Sequence, residues 1–391
     1  MFQNKQCLIC KGDGLIPCNQ CSSFFCSKNH LIVHKNKSHR SISANPGTKN
    51  KLKNEFSNEN INMNQLNDFQ QNTRKNIISK MSEQKFPEAI DEINKCINIS
   101  KQFMQEDNPF IIELYYSLSE CYLNLSNLEK CKNCLEAIIL FTDNNFSSIE
   151  NLIFRQKANM LLGAISLNLG EYNNALKSYI SCETELPKIC QEPELNVKLS
   201  AVYLNIGLCY IYLGNKNIAE KYLKKGLGQT EGILGNDTIH KLNADLFENL
   251  GVVYEMMNRY KDSLIYYKKS LKLKFNLYGE MHDEVLELQY KISSVYLSLK
   301  QFKEAEEILN SIIDLILKQK INNATQECIY RYAAYFYTFG VVLIKLNRMN
   351  NAKIYLSKSL EIIDGFLLPN DPLVININDL MKICDSKKMQ K

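Results

Sequence analysis

Residues 249–270 read Asn249-Leu250-Gly251-Val252-Val253-Tyr254-Glu255-Met256-Met257-Asn258-Arg259-Tyr260-Lys261-Asp262-Ser263-Leu264-Ile265-Tyr266-Tyr267-Lys268-Lys269-Ser270, and the spacing inside this stretch decides the fold. An apolar–small pair, Leu250-Gly251, is followed by an aromatic three residues on (Tyr254), a small residue nine later (Ser263), a bulky one four later (Tyr267) and a small one three later (Ser270). The same frame fits Ile206-Gly207, Tyr210, Ala219, Leu223 and Gly226, and it fits Leu162-Gly163, Ser166, Ala175, Tyr179 and Cys182. It continues through Ile292-Ser293, Tyr296, Ala305, Leu309 and Ile312, and through Leu118-Ser119, Tyr122, Cys131, Leu135 and Ile138. Weaker copies centre on Ile77 with Ala89, and on Gly340 with Ala352 and Ser359. The anchors at 77, 119, 163, 207, 251, 293 and 340 are separated by steps of 42, 44, 44, 44, 42 and 47. Seven consecutive units at a near-constant step define a repeat array.

The spacing has a mechanical meaning. A small residue beside a Leu or Ile, with an aromatic three later, marks the buried stripe of a first helix at a point where another backbone comes close. Ala305, Leu309 and Ile312 stand at i, i+4 and i+7, one face of a second helix antiparallel to the first. Each pair leaves apolar surface open and must stack on the next, which predicts an all-α, right-handed solenoid of about seven helix pairs with a concave inner wall. Nine cysteines from Cys96 to Cys384 fall inside these patterns, and Cys131 and Cys134 share a helix face as small buried apolar residues. Gly226-x-Gly228-x3-Gly232 looks like a phosphate loop but follows a helix and lacks the Lys-Ser/Thr, so it is read as helix termination.

The frame resembles the tetratricopeptide repeat, and its step of 42 to 44 is similar to the longer variety of kinesin light chains. The likeness covers residues 67–385, most strongly 155–312. It extends to Leu277-Tyr278-Gly279-Glu280-Met281-His282-Asp283-Glu284-Val285, which resembles that family's Leu-Gly-x-x-His-Pro-x-Val joint with Asp in place of Pro. Leu234-Gly235-Asn236-Asp237 is a second copy, Asp107-Asn108-Pro109 and Asn370-Asp371-Pro372 mark the same joint, and His282 and His240 are assigned to these turns. The resemblance implies a groove that takes a peptide or helix, with Asn205 and Asn249, just before the Leu/Ile-small pair, bonding the ligand's backbone. The Lys/Asn/Arg set that clamps acidic chaperone tails is not found, since the matching places hold Tyr116, Glu120, Leu161, Asp245 and Glu248.

The front of the chain is different. Five cysteines and three of the five histidines fall within forty residues, as Cys7-x2-Cys10-x7-Cys18-x2-Cys21-x4-Cys26-x3-His30-x3-His34-x4-His39. Eight soft ligands in four close pairs suit two tetrahedral zinc ions, and a segment this short would owe its folding free energy to them. Unrelated thiols or a disulfide cluster are the alternatives, less consistent with the concentration and spacing. With Pro17, Phe24-Phe25 and Ser27 around the ligands, residues 1–40 resemble the HIT and MYND treble-clef fingers. That resemblance implies interleaved sites: Cys7, Cys10, Cys26 and His30 on one zinc, Cys18, Cys21, His34 and His39 on the other. The gap between His30 and His34 is closer to HIT, while His in the sixth and eighth places departs from the usual Cys and leaves the second site less well defined. Closed four-ligand sites are structural, with no position for a reactive water.

Residues 41–66, rich in Ser, Asn, Lys and Gln, have too little spaced apolar surface to order and are expected to be a flexible linker. Residues 1–80 carry 12 Lys and Arg against 4 Asp and Glu, and the rest of the chain 35 against 38. No secretion signal or membrane span is evident, so cytoplasm or nucleus is the expected compartment. A non-enzymatic zinc-binding adaptor, with finger and groove each holding a protein, is the leading expectation. A nucleic-acid-associated factor is the alternative, through weak contacts of Lys28, Lys35, Lys37 and Arg40 with phosphate. A lysine methyltransferase relative is disfavoured, because the 26 residues after the finger cannot hold a catalytic domain.

Overall fold

In the computed structural model of the chain, residues 16–17, 24–25, 63–143, 148–230, 237–318 and 326–386 are described. Two units divide the chain, Met1–Asn76 and Ile77–Lys391, with the division inside the first helix. In the first unit, strands β1 (Ile16–Pro17) and β2 (Phe24–Phe25) pair antiparallel, with Ile16 opposite Phe25 and Pro17 opposite Phe24. The eight expected zinc ligands, nearly all of the expected linker and the Leu234-Gly235-Asn236 joint lie outside the described residues.

Fifteen helices follow among the described residues: α1 (Met63–Ser82), α2 (Phe86–Ser100), α3 (Pro109–Asn124), α4 (Leu128–Asp143), α5 (Ile149–Asn168), α6 (Tyr172–Ile189), α7 (Glu194–Tyr212), α8 (Lys216–Thr230), α9 (Asp237–Met256), α10 (Tyr260–Tyr278), α11 (Asp283–Ser298), α12 (Phe302–Lys318), α13 (Gln326–Lys345), α14 (Met349–Ile363) and α15 (Pro372–Ser386). In chain order they make the expected seven helix–turn–helix units, followed by α15. From α2 onward each helix packs on the next, as an α-solenoid requires. The substantial contacts between helices two apart, α3 with α5, α7 with α9, α11 with α13 and α13 with α15, are all between odd-numbered helices. The odd helices therefore crowd together on the inner side.

The frame residues make the core. Ala305, Leu309 and Ile312 are fully buried, as are Ala219 and Leu223 and, in the last pair, Ala352 and Leu356. What approaches the small anchor is not a backbone but the bulky side chain sixteen residues later on the second helix. A Cβ added to Gly163 would stand 2.7 Å from the Tyr179 ring, one on Gly207 2.6 Å from Leu223 and one on Gly340 2.7 Å from Leu356. Gly226 is also a point of close approach, 2.9 Å from Leu246, and lies inside α8, so it does not terminate a helix. Where the anchor is Ser, its hydroxyl turns back on its own helix: Ser293 donates to the Tyr290 carbonyl at 2.7 Å and Ser119 to Tyr116 at 2.6 Å.

The last frame position ties the two helices together. Ser270 donates to the Ala244 carbonyl at 2.7 Å, Ser359 to Ala333 at 2.7 Å and the Cys182 thiol to Gln156 at 3.6 Å, each 26 residues back. At Gly226 the direction reverses, and Ser200 donates to the glycine carbonyl at 2.9 Å.

The turn inside each pair is one structure used seven times. The residue seven after the anchor is left-handed in every pair: Gln84 (φ 58°), Ser126 (56°), Gly170 (74°), Gly214 (75°), Asn258 (59°), Lys300 (61°) and Asn347 (60°). Around it runs a Schellman closure, with Asn258 N–H donating to the Glu255 carbonyl at 2.8 Å and Arg259 N–H to Tyr254 at 2.8 Å.

Candidate peptide-binding face

The inner helices present one side-chain series that the repeat step generates. Two residues before the anchors of pairs four to seven stand Asn205, Asn249, Lys291 and Thr338. Asn205 is half-buried on α7 and makes no side-chain hydrogen bond among the described residues. Asn249 is half-buried on α9, and its Nδ2 donates to the Asp245 carbonyl at 2.8 Å in its own helix, which leaves Oδ1 to accept from a ligand N–H. Lys291 and Thr338 were not singled out from the sequence, although the same offset from the anchor marks them. Thr338 shares a 3.0 Å hydrogen bond with the Tyr290 hydroxyl.

A cleft of about 450 Å³ opens between α9 and α11, lined by Val252, Met256 and Tyr267 with Glu255, Lys291 and Ser298 at its polar edge. The Tyr267 hydroxyl donates to Glu255 at 2.9 Å. Next to the cleft, Lys274 is 6% exposed and lies 2.6 Å from Glu248, 2.9 Å from Glu284 and 3.5 Å from Asp245. Lys291 meets the other Glu248 oxygen at 2.6 Å and Glu287 at 3.1 Å, and Arg331 continues the chain to Asp283 at 3.1 Å. Burial alone would push the Glu248 carboxyl up, but Lys291 and Lys274 outweigh it and hold it below its ordinary value. Burial opposes the charge on Lys274 and Lys291, and their carboxylate partners hold both above the ordinary lysine value. Asp245 is raised, because burial exceeds what Lys274 returns. Asp245 and Glu248 are therefore committed to lysines inside the protein.

His282 caps α11, its Nδ1 accepting from the Glu284 N–H at 3.3 Å, and stacks on Tyr278 at 4.5 Å between ring centroids. His240, expected in a turn, lies instead in the first turn of α9, which starts at Asp237. Burial pushes the Cys131 thiol up to about 11 and Cys134 up to about 12, so both remain protonated core residues at neutral pH. Among the described residues no His, Cys, Asp and Glu cluster suits a metal ion. No helix among the described residues is long and apolar enough to cross a membrane.

A series of antiparallel helix pairs, each leaning on the next with its first helices inside, defines a helical-repeat protein of the kind that presents an inner face to other chains. Tetratricopeptide repeat models match residues 242–318, and 112–145, 200–231 and 333–364. Among solved structures the chain is similar to a signal transduction ATPase with numerous domains and a tetratricopeptide repeat sensor from Pyrococcus horikoshii. That match has 17% identity and a TM-score of 0.59, covering 91% of this chain and 49% of that one. It is similar to the apo form of RapI at 14% identity and TM-score 0.57, over 82% and 88% of the two chains. It is also similar to BtubC (BKLC) from P. vanneervenii at 14% identity and TM-score 0.51, over 62% and 94%. At these identities the likeness is one of fold. A comparison with curated proteins found no match.

Proposed function

We propose that the chain is a non-enzymatic adaptor that holds an extended peptide or a helix along the inner face of pairs four to seven, and a second protein at its zinc-bound front. Tetratricopeptide repeats indicate a protein-interaction scaffold. The observation that carries the groove is the register of Asn205, Asn249, Lys291 and Thr338, one polar side chain per pair, beside the apolar cleft at Val252 and Met256. Peptide backbone would be bonded by the amides and an apolar side chain would enter the cleft.

For the front, support comes from the ligand spacing and from the β1–β2 pair. The chain between those strands carries Cys18 and Cys21, and Cys26 follows β2 directly. Cys7, Cys10, Cys26 and His30 would hold one zinc, Cys18, Cys21, His34 and His39 the other, and the metal would supply folding free energy rather than a reactive water.

Affinity purification of the intact chain beside one carrying Asn205→Ala and Asn249→Ala, and one carrying Cys7→Ser and Cys18→Ser, assigns partners to groove and front. Retention of every partner by a folded Asn205→Ala, Asn249→Ala protein would refute the amide assignment. Elemental analysis should find about two zinc atoms per chain. Far fewer in folded protein would remove the front's metal.

A further inference from the structure

The outer helices α8 and α10 carry charge that the inner face does not use. Lys221, Lys224 and Lys225 share one face of α8, while Lys261, Lys268, Lys269 and Lys272 share one face of α10 with Ile265 and Phe275. All seven lysines are exposed. The 44-residue step between these pairs maps Lys224 onto Lys268 and Lys225 onto Lys269, so the faces stack in register. The acids on the two helices are occupied: Glu220 receives Lys224 at 2.6 Å and the Tyr254 hydroxyl at 2.6 Å, and Asp262 pairs with Arg259 at 2.8 Å. Glu183 of α6 takes Lys225 at 2.6 Å. Lys221, Lys261, Lys268, Lys269 and Lys272 have no ion-pair partner among the described residues.

The aromatic rings beneath these lysines hold them in place. Lys225 Nζ lies 4.2 Å from the Tyr203 ring centroid, Lys269 5.5 Å from both Phe247 and Tyr266, and Lys268 5.4 Å from Tyr296. Tyr266 in turn stacks on Tyr254 at 5.2 Å, and Tyr222 on Tyr210 at 5.8 Å. Rings so engaged offer no platform on which bases could stack, which disfavours nucleic acid. Between the ammonium groups, Ile218, Ile265 and Phe275 are 40%, 52% and 46% exposed, apolar surface that a phosphate backbone cannot use.

We propose that this outer face docks an acidic protein segment in which carboxylates alternate with apolar side chains. Charge complementarity would steer and register the segment, and burial of Ile265 and Phe275 would add non-polar contact. The surface is distinct from the inner groove, so both could be filled at once.

The test uses the full chain with zinc and a fluorescein-labelled peptide of repeated Glu-Glu-Asp-Leu, read by anisotropy. A Lys221→Glu, Lys268→Glu, Lys269→Glu, Lys272→Glu variant should bind roughly tenfold or more weakly, and the matching Lys→Gln variant, whose fold is less at risk, several-fold more weakly. Lys345→Glu with Lys382→Glu, on the odd-numbered helices α13 and α15, should change nothing. Ile265→Ser should weaken the leucine-containing peptide and leave a polyglutamate peptide unchanged. The basic front is common to all variants, so differences among them read the outer face alone. Unchanged affinity in the folded Lys→Gln variant overturns the proposal. So does tighter binding of U-rich single-stranded RNA that the same substitutions abolish, which would make the face a nucleic-acid site.

Discussion

Pairs five (α9–α10) and six (α11–α12) obey the same frame with different atoms. In the fifth, a bare glycine backbone lies under a whole tyrosine ring, and Ser270 bridges to the carbonyl of Ala244. In the sixth, Ser293 fills its own niche and folds its hydroxyl back, Leu309 replaces the ring, and Ile312 closes the seam with no hydrogen bond. Combined volume across the seam is what both hold constant, and a polar bridge is optional. Pair five has the tighter fit and therefore the smaller tolerance.

The largest expected effect falls where the two pairs join. Lys274→Met strands Asp245, Glu248 and Glu284 near one another and should cost about 3 kcal/mol in urea unfolding. The wild-type cluster also sets pH limits. The share from Glu248, whose carboxyl is depressed, is present at neutral pH and is lost as pH falls through that value, below 4.5. The shares from Lys274 and Lys291, both raised, are present below about 10.5 and are lost as pH rises past it. Asp245, raised by burial, opposes this modestly at neutral pH. The variant should show a flatter stability profile at both ends.

Gly251→Ala comes next, expected to lose about 2 kcal/mol because its Cβ would meet the Tyr267 ring. Adding Tyr267→Leu, the sixth pair's solution, should recover much of the loss. If the double variant is no better than the single, the constant-volume account of the seam fails. Ser270→Ala should cost about 1 kcal/mol, since it leaves the Ala244 carbonyl without its partner. Smallest and of opposite sign is the turn: Lys300→Gly should gain up to about 1 kcal/mol by relieving a left-handed lysine, while Asn258→Gly should be close to neutral. Chemical denaturation midpoints of these variants would rank them.

The helix pairs, their number and their buried stripes were legible because packing at seven equivalent seams imposes one pattern, and seven copies make the pattern visible. The left-handed turn was half-written: Gly170, Gly214, Asn258 and Asn347 advertise it, but Gln84, Ser126 and Lys300 adopt it under the constraint of the helices they join. Asn205 and Asn249 hold one place in the frame on α7 and α9, and the same offset marks Lys291 and Thr338 on α11 and α13. The ion cluster was hidden, because Asp245, Lys274 and Glu284 come from three helices and no local spacing brings them together. His240 was misplaced because α9 begins at Asp237, inside the stretch assigned to the joint.

From anchor to left-handed residue the count is seven in every pair, and from a glycine anchor to the bulky side chain it meets it is sixteen, so the variation in the 42 to 47 step lies outside that span: α3 and α11, which end the two steps of 42, have 16 residues where α5 and α9 have 20. The central span of each hairpin is then a link of fixed register. A residue inserted within that span would break the seam of its own pair, whereas one inserted beyond it would leave the seam in register.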